Sequence, residues 1–159
     1  MRKTQILCLL IVIVILVSSC ASLSRKPGKE RAEERVEEYI YVFNHAKDDP
    51  GKLWDMLTSS YKERITRNEF IEAYLVDITY PYITPFYIFQ PEFSFSEDYM
   101  TLTVTFQQAA RIVGMTWTVG LVYENGDYYF EDWEYLIDGT YLDKFEDLMY
   151  SLDWYYNFE

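Results

Sequence analysis

The sequence has one histidine, two cysteines, six glycines and five prolines in 159 residues. The shortage of histidine and cysteine narrows the chemistry first. A lone imidazole cannot build a zinc cage, and the two thiols, Cys8 and Cys20, form no CxxC motif. His45 lies nine residues after Val36, which on a helix turns it about 180° from the apolar stripe that Val36 marks. It reads as a solvent-exposed residue at a helix end. No phosphate-binding loop, nucleophile elbow, HExxH pair or EF-hand spacing occurs. The acidic pairs Asp48-Asp49 and Glu131-Asp132 lack the ligand spacing of a calcium loop and read as solvated loops. Positive charge is scarce late in the chain. Residues 92–159 hold 14 acidic residues against Arg111 and Lys144, whereas residues 21–91 hold 12 acidic and 10 basic ones. Such a surface repels nucleic acid and anionic headgroups, and it keeps the chain soluble. Neutral or cationic partners remain open to it.

What the sequence does have is apolar and aromatic. Half of it is hydrophobic and 19% is aromatic, including 16 tyrosines, which excludes a disordered tail. A short basic start, Met1-Arg2-Lys3, leads into an uncharged apolar run from Ile6 to Val17. Small residues and Cys20 follow, in the three-part layout of an export signal. The run is shorter than the ~20 residues that a membrane span needs.

Val17-Ser18-Ser19-Cys20 resembles the lipobox of bacterial lipoproteins. The resemblance implies cleavage before Cys20, a diacylglyceryl group on its thiol and a further acyl chain, such as palmitate, on the new amino terminus. Two or more chains anchor stably where one does not. Residues 1–19 are then a removed signal peptide, and residues 20–29 are the lipidated cysteine and its tether. Cys8 leaves with the leader, so the domain has no intramolecular disulfide. The implied location is the cell envelope. With two membranes it is the outer one, because Ala21 is not the aspartate that retains many lipoproteins inside; with one, it is that membrane's outer leaflet. An ordinary signal peptide with a chance cysteine is the alternative.

Along the domain, Ala32, Val36, Ile40 and Phe43, with Tyr39 beside them, predict a helix over Glu30 to Ala46. Leu53, Trp54, Leu57 and Tyr61 predict a shorter helix from Lys52 to about Tyr61. Thr66-x-x-Glu69 is a capping box opening a third, which carries Phe70, Ile71, Tyr74, Leu75 and Ile78. The period then becomes two. Phe93 and Phe95, Met100 to Phe106 and Met115 to Tyr123 alternate apolar with polar residues, and Asn125-Gly126 signals a tight hairpin into a strand over Tyr128 to Ile137. Tyr141, Phe145, Leu148, Leu152 and Tyr155 mark an acidic amphipathic helix over 138–159. Helices followed by an antiparallel meander predict an α+β fold, with N-terminal helices on a curved antiparallel sheet.

This element order, with "YENGDYYF" at the last hairpin, resembles the nuclear transport factor 2-like superfamily over residues 30–137. The resemblance implies a cone-shaped, cystatin-like domain, and it makes a homodimer through the sheet an expectation. Members include ketosteroid isomerase-like and polyketide cyclase-like enzymes and many pocketed domains without catalysis. None of the isomerase's catalytic residues matches a position here.

A two-residue turn at Asn125-Gly126 would set Tyr123 opposite Tyr128, Leu121 opposite Phe130, Val119 opposite Asp132 and Trp117 opposite Glu134. Closing the preceding hairpin at Arg111 to Gly114 would set Phe106 opposite Val119 and Gln108 opposite Trp117. One face would then run from an apolar floor of Leu102, Val104, Phe106, Leu121 and Phe130 to a polar end at Gln108, Trp117, Asp132 and Glu134, the layout of a ligand pocket. A β-bulge near Glu131 would instead turn Trp133 inward and leave both carboxylates in solvent. Buried Asp132 would be a weak general-base candidate, with Glu134 beside it and Asp77 weaker still. Three functions follow in order. The first is a non-catalytic module binding a small apolar ligand or an envelope protein. The second is a partner surface on the acidic C-terminal helix, and the third an isomerase- or cyclase-type enzyme. No cofactor is implied.

Overall fold

The computed structural model describes residues 26–79, 87–109 and 114–143. The leader, Cys20 and most of the tether lie outside these residues, as does most of the C-terminal amphipathic run. Helices α1 (Lys29–Asn44), α2 (Gly51–Asp55), α3 (Ser59–Lys62) and α4 (Arg67–Asp77) come first. Strands β1 (Tyr87–Phe95), β2 (Thr101–Ala109), β3 (Thr116–Glu124) and β4 (Asp127–Glu131) form one antiparallel sheet in chain order. A short α5 (Glu134–Asp138) and a 3-10 turn (Thr140–Leu142) follow. The fold is α+β, with helices packed against one sheet face.

Helix α1 buries Ala32, Val36, Tyr39 and Phe43, the stripe its spacing predicts. The Tyr39 ring stacks on Phe130 with centroids 3.8 Å apart, so helix and sheet meet at the centre of the core. At the far end of α1 the Asn44 amide accepts from Ile88 N–H at 2.9 Å and donates to Ile88 C=O at 3.0 Å. This substitutes for a strand partner and ties the edge strand β1 to the helix. The opposite sheet edge is covered by the chain before α3. Phe130 N–H donates to Met56 C=O, and Thr58 N–H donates to Phe130 C=O. Thr58 also caps α3, which is why the single helix expected from Lys52 to Tyr61 is two short ones. Pairing an edge in this way removes a site for aberrant strand addition.

The capping box at Thr66 and Glu69 opens α4 as expected. Its buried face is Phe70, Ala73 and Tyr74, while Leu75 is exposed. Strand β1 starts earlier than the alternation at Phe93 implies. A bulge between Phe89 and Glu92, with Gln90 at φ 48°, hosts Pro91 on an edge strand where a missing donor is tolerated.

Two parts of the expected register need correction. Phe106 pairs with Trp117 and Val104 with Val119, so the β2–β3 register lies two residues from the expected one. A two-residue shift keeps every side chain on its own face, so alternation alone could not choose between the two. Strand β4 ends at Glu131 rather than Ile137, and Val119 and Trp117 do not pair with Asp132 and Glu134. Trp133 takes the left-handed conformation, φ 68° and ψ 23°, and turns the chain into α5. The hairpin itself is as expected, with Tyr123 opposite Tyr128 and Leu121 opposite Phe130.

Candidate functional site

Of the residues singled out for a pocket, Phe106, Gln108, Val119, Leu121 and Phe130 are buried on the helix-covered face. They form packed core. Trp117 and Asp132 are half-buried at its end. Glu134 stands apart from them. It is exposed on α5 and pairs with Arg64 at 2.7 Å. His45 is exposed, bonded through Nδ1 to Tyr41 C=O at 2.7 Å. Cys20 lies outside the described residues.

Asp132 carries the most distinctive chemistry. Its Oδ2 accepts from the Tyr39 hydroxyl at 3.0 Å and from the Trp117 indole N–H at 3.1 Å. Its Oδ1 accepts from Trp133 N–H at 2.7 Å. This last bond is local, since the left-handed turn at Trp133 brings that amide back to the preceding carboxylate. Burial pushes the Asp132 pKa up from 3.8 to about 6, against the opposing pull of the three donors. The Tyr39 hydroxyl is held well above its ordinary range, by burial first and then by the carboxylate beside it.

Aromatic rings pack around Trp133, the residue next to this acid. Trp133 is 3% exposed, and Phe43, Phe70, Tyr74 and Trp117 have ring centroids 5.4 to 6.2 Å from its own. At these separations the rings are in packing contact. A carboxylate offers about four lone-pair directions, and three are taken by the protein. A general base must reach a substrate proton at roughly 2.6–3.2 Å, and most of this carboxylate's acceptor capacity is already committed to Tyr39, Trp117 and Trp133. Neither reading of the strand end therefore holds alone: Asp132 and Trp133 both turn inward, because the strand stops between them and Glu131.

Tyr39 was not legible as a member of this cluster, while an inward Trp133 was the alternative at the strand end. Tyr39 announces itself only as part of a helical stripe, and nothing in "EDWEY" signals a left-handed tryptophan. Asp77 is also drawn in by tyrosine, accepting from the Tyr135 hydroxyl at 3.1 Å.

Two other features lie outside this cluster. Lys62 donates to Asp55 C=O at 2.8 Å, and its ammonium sits 5.1 Å from both the Trp54 and Tyr129 ring centres. These contacts pin α3 to the sheet edge. Between α4 and α5 lies an open cleft of about 470 Å³, with Ile65, Ala73, Val76, Leu136, Ile137 and Tyr141 along it and Arg64, Glu69 and Glu72 at its rim. Among the described residues no group of three or more potential ligands could hold a metal ion, and no helix is long and apolar enough to cross a membrane.

Compared with protein-family models, curated proteins and solved structures, the chain finds no match in any of the three. What fold and site define is a class: an α+β domain with an antiparallel four-stranded sheet and a buried, hydrogen-bonded acid where the sheet meets its helices.

Proposed function

We propose that the chain is a bacterial lipoprotein, anchored at Cys20 in the cell envelope, whose domain is a non-catalytic binding module. One observation carries the non-catalytic part. The only strongly raised carboxyl among the described residues, Asp132, spends three of its acceptor directions on Tyr39, Trp117 and Trp133. It is architecture rather than a poised base. Binding falls to the cleft between α4 and α5. Its volume of about 470 Å³ lies in the usual range for small-molecule sites, roughly 300–1,000 Å³. Its mixed lining, with Val76, Leu136 and Ile137 beside Arg64, Glu69 and Glu72, suits a small ligand with an apolar part and a polar end. The nuclear transport factor 2-like reading, with its cone shape and sheet dimer, draws support from the element order and from the β3–β4 hairpin.

Native mass spectrometry of protein purified gently from membranes tests the binding role. The expected result is a discrete extra mass that is lost on denaturation and absent from Val76→Trp, which fills the cleft. An extra mass retained by Val76→Trp would move the ligand elsewhere, and a bare protein would overturn the small-molecule reading. A second reading is a protein partner for the acidic C-terminal segment. It draws support from the charge imbalance of residues 92–159 and from Leu142, exposed just before that segment. Deleting 144–159 should then abolish partner capture.

A further inference from the structure

The end of the domain from which the tether leaves is built differently from the Asp132 end. Tyr128, fully buried, uses its hydroxyl to join two remote segments. It accepts from Gly28 N–H at 3.0 Å and donates to Tyr99 C=O at 2.7 Å. The last tether residue before α1 is thus held beside the tip of the β1–β2 hairpin. That tip displays Tyr99 and Met100, 39% and 40% exposed. Tyr99 is held at φ 58°, a conformation that glycine or asparagine occupies at lower cost. The backbone here is strained, and the Tyr99 ring it carries rests one side on Phe95, with centroids 5.4 Å apart, and leaves the other to solvent.

Cys20 lies eight residues before Gly28. Eight residues span at most about 28 Å, even fully extended. We propose that Tyr99 and Met100 form a docking surface for the bilayer in which the chain is anchored; the proposal rests on lipidation at Cys20. Tyrosine suits the interface, where one end of its ring is apolar and the other wet. The tether makes docking intramolecular, so a weak contact suffices. Glu97 and Asp98 at the tip and Lys26 and Lys29 beside the tether roughly balance, which fits a zwitterionic surface rather than a strongly anionic one. Helix α1, about 24 Å long by its rise, starts at this end and finishes at Ile88. Docking therefore stands the domain upright, with Asp132 and the exposed Met115 directed away from the membrane.

The mature chain has no thiol besides Cys20, so a nitroxide can be placed singly at Met100→Cys or Met115→Cys in the full lipidated protein. In phosphatidylcholine vesicles, the label at 100 should be several-fold more accessible to oxygen than to a water-soluble nickel complex. The label at 115 should show the reverse, and Tyr99→Ser should weaken the contrast at 100. A vesicle-bound protein whose label at 100 is as wet as that at 115 overturns the docking surface and leaves the anchor standing. Protein that stays in the supernatant, with an unmodified Cys20 by mass, overturns both.

Discussion

Asp127 and Asp132 bracket β4, five residues apart, and their surroundings push them in opposite directions. Asp127 opens the strand at the tether end. Burial acts to raise its pKa, but the Arg31 fork, bonded at 2.8 and 2.6 Å, the Tyr128 N–H and the nearby charge of Arg35 outweigh it and hold the carboxyl low. Asp132 follows the strand at the other end, where no cation among the described residues acts on it. Its three donors are neutral, and burial wins. At Asp132 three neutral donors do not offset burial, whereas at Asp127 the added opposite charge does. One end of the sheet is thus built as an ion pair that grips the start of α1. The other is a cluster of aromatic rings beside an acid whose pKa burial lifts to about 6.

Perturbing each end in turn sharpens that contrast. The largest loss is expected at the shared centre. Tyr39→Ala removes the ring that stacks on Phe130 and a donor to Asp132, and should cost about 4 kcal/mol in denaturant unfolding. Next comes the pH response. Because the folded pKa of Asp132 lies above its unfolded value, its stabilising effect is full below about pH 4. That effect is lost as pH rises through about 6, a span on the order of 2–3 kcal/mol. Asp132→Asn should abolish that slope in unfolding curves taken from pH 4 to 7. Asp127 has the opposite sign, its contribution being present above its unfolded pKa and lost as pH falls through the lower folded one. Asp127→Ala should cost about 2 kcal/mol at pH 7, since Arg31 and Asp127 are only partly exposed. The cost should vanish in strong acid. Smallest is Tyr39→Phe, about 1 kcal/mol, which should also move the Asp132 transition upward by removing one donor to the ionised form.

The ion-pair end was the more legible one in the sequence, though not through its charges. Asn125-Gly126 fixed the β3–β4 register because two consecutive residues there take positive φ, and Tyr123 met Tyr128 as expected. The capping box and the α1 stripe were equally readable, since each is a local signal with a fixed spacing. The aromatic end was not. Its strand terminus depends on one tryptophan at positive φ, and apolar residues at Leu136 and Ile137 read as strand continuation when they belong to α5. The Tyr39–Asp132 contact joins residues 93 positions apart, which no periodicity encodes. The β2–β3 register was ambiguous by two residues because its faces are the same either way. Five of the eight pocket candidates, Phe106, Gln108, Val119, Leu121 and Phe130, are packed core, and Glu134 turned to Arg64.

The most direct test is a carbon-detected NMR titration of the two side-chain carboxyls in the folded protein. Asp132 should titrate near pH 6 and Asp127 below 3.8, with the Asp132 transition shifting upward in Tyr39→Phe. An Asp132 midpoint at or below that of Asp127 would mean the acid is open to water or paired with a cation. Burial would then not set its pKa, and Asp132 would return as a reactive group.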